Sequence, residues 1–187
     1  MGEILDLGCG QAKRPGAVGI DLRPGPGVDI VHDLNRFPWP LEDNRFEAVI
    51  CSHVLEHLAD LPAVMSEIHR VCKARARVRI VTPHFSSLNS WEDPTHVHHL
   101  ARRSFRFFDS LNQHSYTSVR LKTIQVEVSF GGGLWDLMGS ALYSCFPDLW
   151  EKHFAFVWRA RNLVAELEVE KEGPPEAGSL INPKSKI

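Results

Sequence analysis

The chain has 187 residues, a length that suits a single domain with its own hydrophobic core. Its 21 Lys and Arg residues nearly balance its 23 Asp and Glu residues, which argues against binding to nucleic acid or membranes through overall charge. No apolar run approaches the roughly 20 residues of a transmembrane helix, and the start, MGEILDLGCG, lacks the parts of a signal peptide, so we expect a cytoplasmic protein without a membrane span.

Short apolar runs in the first half of the chain predict the strands of a parallel sheet. They are EILDLG (3–8), AVGIDL (17–22), VDIVHDL (28–34), FEAVICS (46–52) and RVRIVTP (77–83). These runs are apolar on both faces rather than alternating, which is typical of central parallel strands. Between the fourth and fifth runs, apolar residues recur at helical spacing from Leu61 to Cys72, and Asp60 with Pro62 marks the helix start. This strand–helix–strand order predicts a doubly wound α/β sheet.

The second half of the chain has a different character. Residues 84–118 are polar, aromatic and rich in histidine, and residues 134–145 form an apolar helical stripe. On either side of that stripe, TIQVEVSF (123–130) and LVAELEVEK (163–171) alternate strictly, which predicts a late antiparallel pair of strands. The end of the chain, residues 172–187, is rich in Pro, Gly and Ser, so we expect a disordered tail there.

The loop after the first strand, LDLGCGQAKRPG, indicates a binding site. Gly8 and Gly10 allow a ligand to approach the backbone N–H groups closely. A dinucleotide fingerprint would need glycine where the chain has Lys13, so NAD is disfavoured. Asp21 and Asp33 end the second and third strands, where carboxylates can accept hydrogen bonds from a ribose diol and an exocyclic amine. Either aspartate alone could merely cap a turn, but the ordered set predicts a ligand rich in donors.

These segments together carry a family resemblance. The string ILDLGCG…AVGIDL…VDIVHDLNRFPWPLEDNRFEAVICSHVLEHLADLPAVMSEIHRV resembles the class I S-adenosylmethionine-dependent methyltransferases of the type called methyltransferase type 11. The resemblance implies a Rossmann-like seven-stranded mixed sheet, mostly parallel with an antiparallel last strand. Two departures stand out. QAKRPGA (11–17) predicts a shortened first helix, and KARARVRI (73–80) predicts a basic surface turn where relatives often have Pro-Gly-Gly.

The resemblance also implies the cofactor, S-adenosyl-L-methionine, with S-adenosyl-L-homocysteine as the product. In strand order, the first loop would pass the methionine part and the second strand end would bind the ribose and adenine ring. The third strand end would read the adenine amine, and the fourth would face the sulfonium. The implied cofactor-binding residues are Asp6, Gly8, Cys9, Gly10, Asp21, Leu22, Asp33, Leu34, Ser52 and His53.

The stretch CSHVLEHL offers a competing interpretation. His53 to His57 spell H-x-x-E-H, which in metalloproteases lies on a helix and presents two imidazoles to zinc. Here the string begins at a strand end and Pro62 follows soon after, so a zinc hydrolase is the less favoured alternative and we expect no metal. The catalytic candidates for methyl transfer are instead His53 and, from the cluster after the fifth strand, His96.

We expect the methyl acceptor to be a small molecule. The stretch ARRSFRFFDSL interleaves basic and aromatic residues, as single-strand binders do, but its period is that of an amphipathic helix. A nucleic-acid substrate is therefore disfavoured. We take residues 1–171 as one S-adenosylmethionine-binding domain with acceptor-side insertions at 84–118 and 131–160, compatible with a monomer or a homodimer. A cofactor-binding protein without transferase activity is the remaining alternative.

Overall fold

Seven strands form one mixed sheet in a computed structural model that describes residues 2–109 and 119–171. They are β1 (Ile4–Leu7), β2 (Ala17–Asp21), β3 (Ile30–Val31), β4 (Phe46–Ser52), β5 (Cys72–Pro83), β6 (Arg120–Ser129) and β7 (Asn162–Glu170). Their spatial order is β3-β2-β1-β4-β5-β7-β6. The first five pair with one another in parallel, and β7 runs antiparallel to both β5 and β6. The predicted mixed sheet with a late antiparallel pair is confirmed.

Few helices accompany the sheet. They are α1 (Leu61–Val71), α2 (Asn89–Glu92), α3 (Leu134–Cys145) and α4 (Pro147–Leu149), with 3-10 turns at Leu55–His57 and Ser104–Phe108 and a π turn at Trp150–Phe154. α1 begins as predicted, because the Asp60 carboxylate accepts a hydrogen bond from the Ala63 N–H (2.9 Å) and Pro62 lies in the first turn. The described residues between β1 and β2 contain no helix, in agreement with a shortened first helix. None of the described helices has the length and apolar character needed to cross a bilayer.

Two sequence predictions about strand extent were wrong. The basic segment 73–80 was predicted as a surface turn that overlaps the strand predicted at 77–83; that strand is confirmed, but residues 73–76 lie within β5 as well, because β5 starts directly after α1. Cys72 pairs with Phe46 of β4, and the next paired residue of β5 is five positions on, so the extra residues form a bulge in which Arg75 has φ of 64°. Conversely, β3 covers only Ile30–Val31 of the predicted 28–34, since the chain turns sharply after it.

Two further sequence predictions concern the later segments. The helix expected near ARRSFRFFDSL is a short 3-10 turn over Ser104–Phe108 as far as the structure describes it. Part of the first predicted insertion, residues 110–118, and the predicted tail, residues 172–187, lie outside the described residues.

The main core lies on one face of the sheet. Alternate strand residues face it, including Leu5, Val49, Ile80 and Leu167, and all are almost fully buried. On the opposite face, β5 and β7 instead carry ion pairs between Arg77 and Glu168 and between Arg79 and Glu166. The sheet is therefore apolar towards α1 and carries exposed charge on the other side of its antiparallel half.

A charged pair on α1 fixes the segment that follows β3. The Glu67 carboxylate accepts hydrogen bonds from the N–H of Trp39 (2.7 Å) and from the guanidinium of Arg70 (2.8 and 2.7 Å). Arg70 also donates to the carbonyls of Trp39 (3.0 Å) and Leu41 (2.8 Å). The buried indole of Trp39 donates to the carbonyl of Leu34 (3.1 Å). α1 thereby holds the loop that leaves β3 at the edge of the sheet.

We expect Glu67→Gln to lower the free energy of unfolding by about 1–3 kcal/mol at neutral pH, because it breaks a buried, charge-assisted network. Burial raises the pKa of the Glu67 carboxyl, but hydrogen bonds from Arg70 and the Trp39 N–H outweigh this and hold the pKa below its ordinary 4.5. The contribution is therefore complete above pH 4.5 and is lost as the pH falls through the lower folded-state pKa.

Urea denaturation at neutral and acidic pH measures this effect. The control is Glu42→Gln, which changes an exposed carboxylate just before β4 and should cost less than about 0.5 kcal/mol. Equal stabilities of the two variants, or a difference that does not shrink in acid, would contradict the role of the pair.

Candidate cofactor and acceptor site

The residues predicted to bind the cofactor lie along the carboxyl edge of the parallel strands. Leu7 pairs with Ile20 of β2 and with Cys51 of β4, so the loops after these three strands leave the sheet at one level. Asp21 pairs with Val31, which brings the end of β3 to the same edge. In an open α/β sheet this edge is the usual place for a ligand. The fold thus gathers the predicted residues, whose roles towards a cofactor stay predictions.

The glycine loop is tightly packed at one glycine and open at the other. Gly8 and Gly10 have φ of 62° and 49°, in the left-handed region that favours glycine. A Cβ on Gly8 would lie 2.2 Å from a methyl group of Val54, so the loop packs directly on the segment after β4. A Cβ on Gly10 would meet no atom within 4 Å. The space above Gly10 is therefore free for a ligand to contact the backbone.

Two carboxylates accept hydrogen bonds from backbone N–H groups of this loop. The Asp21 carboxylate accepts hydrogen bonds from the N–H of Gly10 (2.9 Å) and of Arg23 (3.0 Å). Asp6, which is 7% exposed, accepts one from the N–H of Arg14 (2.8 Å). Each carboxylate can accept further hydrogen bonds, because its two oxygens offer about four lone-pair sites. Asp21 can therefore close the glycine loop and still accept a ligand's hydroxyl.

The ends of β2 and β3 expose an apolar surface. Leu22 is 62% and Val31 56% exposed. Asp33 accepts the N–H of Asn35 (3.0 Å), and its second oxygen lies 3.6 Å from the Arg36 guanidinium. Side chains of this kind next to carboxylates suit a flat aromatic ring with polar substituents. Leu34, by contrast, is buried in the core.

His53 has an unusual backbone conformation at the end of β4. Its φ is 55°, which is rare and strained for a residue with a side chain. Its N–H donates to the carbonyl of Val81 (2.8 Å), and its ring nitrogen Nδ1 lies 3.2 Å from Oε1 of Glu56. The His53 side chain is 46% exposed, and Ser52 before it is exposed as well. This backbone conformation therefore places a half-exposed imidazole at the end of β4.

Glu56 connects three segments although it is almost fully buried, with 1% of its surface exposed. Its Oε2 accepts a hydrogen bond from the Thr82 hydroxyl on β5 (3.0 Å), and its Oε1 contacts His53. Its backbone carbonyl accepts the N–H groups of Val97 (2.8 Å) and His98 (3.3 Å). The carboxylate thus links the ends of β4 and β5, and the backbone carbonyl of the same residue holds the histidine-rich loop, a role that sequence reasoning missed although the H-x-x-E-H string marked the residue.

The H-x-x-E-H string does not lie on one helix. It runs from the end of β4 through His53 into the 3-10 turn Leu55–His57, as its position before Pro62 predicted. Instead, His57 meets His96 from the distant loop, with ring centroids 4.6 Å apart. The potential ligand atoms of Glu56, His57 and His96 all lie within 4.8 Å of one another. The metalloprotease arrangement is absent from these described residues, and a different cluster takes its place.

The other histidines of the loop have separate partners. His99 stacks on Trp91, with centroids 3.7 Å apart, and its Nδ1 lies 2.9 Å from the Ser90 hydroxyl. His98 lies 3.3 Å from the carbonyl of Ala59. These contacts fasten the loop to its surroundings without bringing either ring into the cluster.

Sequence reasoning also missed a buried pair, His84 and Glu151. His84 is fully buried, and its Nε2 lies 3.3 Å from Oε1 of Glu151, which also accepts the Arg102 N–H (2.9 Å). Burial raises the pKa of the Glu151 carboxyl, but hydrogen bonds from His84 and from the Arg102 N–H outweigh it and lower the pKa below its ordinary value. The pair joins the loop after β5 to the π turn, and no local pattern links residues 67 positions apart.

An apolar pocket of about 220 Å³ lies between α1 and the histidine-rich loop. Leu55, Met65, Phe105 and Phe108 are among the residues that line it. Leu55 is the neighbour of Glu56, so the pocket and the Glu56 cluster share the turn that follows β4. The pocket can therefore hold an apolar group beside the turn that follows β4.

We expect Thr82→Val to lower the free energy of unfolding by about 1–2 kcal/mol, because it leaves a buried oxygen of Glu56 without its donor. Thr123→Val is the matched control. The Thr123 hydroxyl is buried and has no hydrogen-bond partner among the described residues, so this change should be neutral or stabilising. Chemical denaturation of both variants measures the difference, and equal losses would contradict the bond to Glu56.

Comparison with known proteins finds a match to a family model over part of the chain. Residues 15–80 match the family model described as "Methyltransferase domain". A 2-phytyl-1,4-naphtoquinone methyltransferase of Nostoc sp. (strain PCC 7120) is 28% identical in an alignment 106 residues long that covers 43% of this chain. The match spans about half the length of that curated relative, at 46%.

The fold is similar to those of solved methyltransferases. A SAM-dependent methyltransferase from Archaeoglobus fulgidus has a TM-score of 0.58 at 18% identity, over 89% of this chain and 86% of that one. An S-adenosylmethionine-dependent methyltransferase from Mesorhizobium loti has a TM-score of 0.56 at 18% identity, over 89% and 90% of the two chains. Motifs, family model and fold agree, and the predicted resemblance to the class I S-adenosylmethionine-dependent methyltransferases is confirmed.

Proposed function

We propose that this chain transfers a methyl group from S-adenosylmethionine to a small-molecule acceptor. The observation that carries the proposal is the glycine loop, in which Gly10 adopts a left-handed conformation under open space and donates its N–H to Asp21. The family match and the fold support S-adenosylmethionine as the cofactor.

The residues at the strand ends fit the groups of this cofactor. Asp21 and Asp33 supply acceptors for the ribose hydroxyls and the adenine amine. Leu22 and Val31 supply an exposed apolar surface for the adenine ring. The open face of Gly10 leaves room for the amino-acid part. This donor and acceptor pattern matches an adenosyl amino acid better than a dinucleotide, whose pyrophosphate would need the missing glycine at Lys13.

The chemistry requires little more than orientation, because the sulfonium of the cofactor supplies an already activated methyl group. A lone pair on the acceptor forms the new bond to the methyl carbon while the carbon–sulfur bond breaks and its electrons stay on sulfur. His53 is the residue to take a proton from the acceptor, since its ring is half-exposed at the end of β4 and Glu56 orients it. His96 is the second candidate for this task.

Two observations support an apolar small molecule as the acceptor. The pocket beside Leu55 is lined mainly by apolar side chains, and the curated relative is named for a naphthoquinone. A nucleic-acid acceptor has less support, because the chain has a formal net charge of −2 and Arg102 and Arg103 already pair with the carboxylate of Asp148 (3.2 and 2.7 Å).

We expect millimolar S-adenosylmethionine or S-adenosylhomocysteine to raise the melting temperature of the protein, since a ligand at about 100 times its dissociation constant stabilises by about 2.7 kcal/mol. Gly10→Ala should remove most of this rise, because a Cβ there occupies the space above the loop. Differential scanning fluorimetry measures the rise in the wild type and in each variant.

Gly16→Ala is the matched control. Gly16 also has a left-handed φ (79°) and open space around its Cβ position, so its backbone strain on substitution, about 1 kcal/mol, should be similar. Gly16→Ala should keep the ligand-induced rise. Absence of any rise in the wild type, or equal loss in both variants, would overturn the cofactor assignment. A rise without methyl transfer to any acceptor in a screen of metabolite pools, quinones and phenols included, would favour a cofactor-binding protein without transferase activity.

A further inference from the structure

We propose that Glu56, His57 and His96 form a binding site for one divalent transition-metal ion, with zinc as the best match. This proposal departs from our expectation of a protein without metal. The carboxylate and the two imidazoles come from the turn after β4 and from the loop after β5, and their ligand atoms lie within 4.8 Å of one another. The fold brings together residues that are 39 positions apart, and the H-x-x-E-H string alone did not predict this set.

The ligand chemistry selects the ion. Two imidazole nitrogens and one carboxylate oxygen suit zinc, cobalt or nickel, whereas magnesium and calcium prefer oxygen ligands alone. Zinc binds such atoms at about 2.0–2.2 Å in a tetrahedron, which sets the ligand atoms roughly 3.4 Å apart. Side-chain rotations that move the ligand atoms by about an ångström would bring them to these distances around an ion. Three protein ligands would leave a fourth coordination position open.

Hydrogen bonds orient both imidazoles for this task. The Nδ1 of His96 lies 3.3 Å from the carbonyl of Ser90, which can only accept, so Nδ1 carries the hydrogen and Nε2, which lies 3.9 Å from the Asp93 carboxylate, keeps its lone pair. The Nδ1 of His57 lies 2.9 Å from the Thr95 hydroxyl, which itself donates to Asp93 (2.6 Å). His57 Nδ1 therefore donates to Thr95, and the Nε2 of His57 keeps its lone pair. Supporting bonds of this kind are typical of metal-binding histidines.

The third ligand, Glu56, is a buried carboxylate that a nearby positive charge would stabilise. Glu56 is 1% exposed, and no lysine or arginine within residues 2–109 and 119–171 forms an ion pair with it. Its partners are the Thr82 hydroxyl and His53, whose charge depends on protonation. A carboxylate buried in this way is costly unless a cation compensates it. A bound metal ion would supply that charge permanently.

The position suggests a role beside the candidate methyl-transfer site. Glu56 contacts His53, which lies at the strand end predicted to face the sulfonium. An ion at the cluster could hold a hydroxyl oxygen of the acceptor at its open position and favour loss of the hydroxyl proton. This role rests on the proposed function, whereas metal binding itself does not.

Metal binding to untagged, chelator-treated protein tests the proposal. After incubation with zinc sulfate and desalting, elemental analysis should find one zinc per wild-type chain. Titration with cobalt chloride should give the visible absorption of a tetrahedral site. His57→Ala and His96→Ala should each weaken zinc binding at least about tenfold, and Thr95→Val should weaken it by a smaller factor because it removes only the support of His57.

The matched control is His99→Ala, which removes a histidine of the same loop that stacks on Trp91 outside the cluster. It should keep full zinc binding, with circular dichroism confirming that each variant is folded. Zinc binding that is absent in the wild type, or lost equally in His99→Ala, would overturn the site. Retention of zinc in folded His57→Ala and His96→Ala would also overturn it. Because no cofactor is added, zinc binding without a ligand-induced melting shift would refute the proposed function and leave the metal site standing.

Discussion

The buried carboxylate of Glu56 is the constraint on which the acceptor side of the molecule depends. A charge shielded from water is tolerated only if its oxygens are bonded, and here each oxygen takes a partner from a different strand end. Its backbone carbonyl holds the histidine-rich loop at Val97. The ends of β4 and β5 and this loop therefore cannot move independently. The left-handed backbone of His53 is held in the same arrangement.

The cofactor side is built on a different principle. The helix that would usually follow β1 is absent from the described residues, so polar contacts hold the glycine loop. Asp29 accepts the N–H of Gly19 (2.7 Å) and pairs with Lys13 (2.7 Å), and these two contacts lower the pKa of its carboxyl. Asp6 and Asp21 accept hydrogen bonds from other backbone N–H groups of the same loop. These carboxylate hydrogen bonds hold the loop in place of a packed helix. The loop remains open at Gly10.

The cofactor side and the acceptor side meet just after the end of β4, where Gly8 packs on Val54, one residue after His53. Leu55 of the apolar pocket follows Val54 in the same segment, so one short stretch of chain contacts both the glycine loop and the pocket. The pocket beside Leu55 is apolar, whereas the cluster of Glu56, His57 and His96 is ionisable. An acceptor with an apolar body and one polar reacting group would match both surfaces.

Sequence patterns predicted the elements whose cause is local. Apolar runs gave the strands, Asp60 with Pro62 gave the start of α1, and Gly8 with Gly10 marked the loop where φ must be positive. Patterns failed where pairing decides. The start of β5 depends on Cys72 meeting Phe46, and the 3-10 turn at 104–108 replaces a longer helix that the amphipathic period alone favoured.

The sequence by itself therefore determined most of the strands, the glycine loop and the order of the carboxylates that follow the strands, because each depends on neighbours within a few residues. Only the tertiary structure decided what Glu56, His57 and His84 contact. His57 meets His96, and His84 meets Glu151, across long separations that no periodicity encodes. Burial explains the difference, since a buried polar group must find its partner wherever the fold brings one within reach.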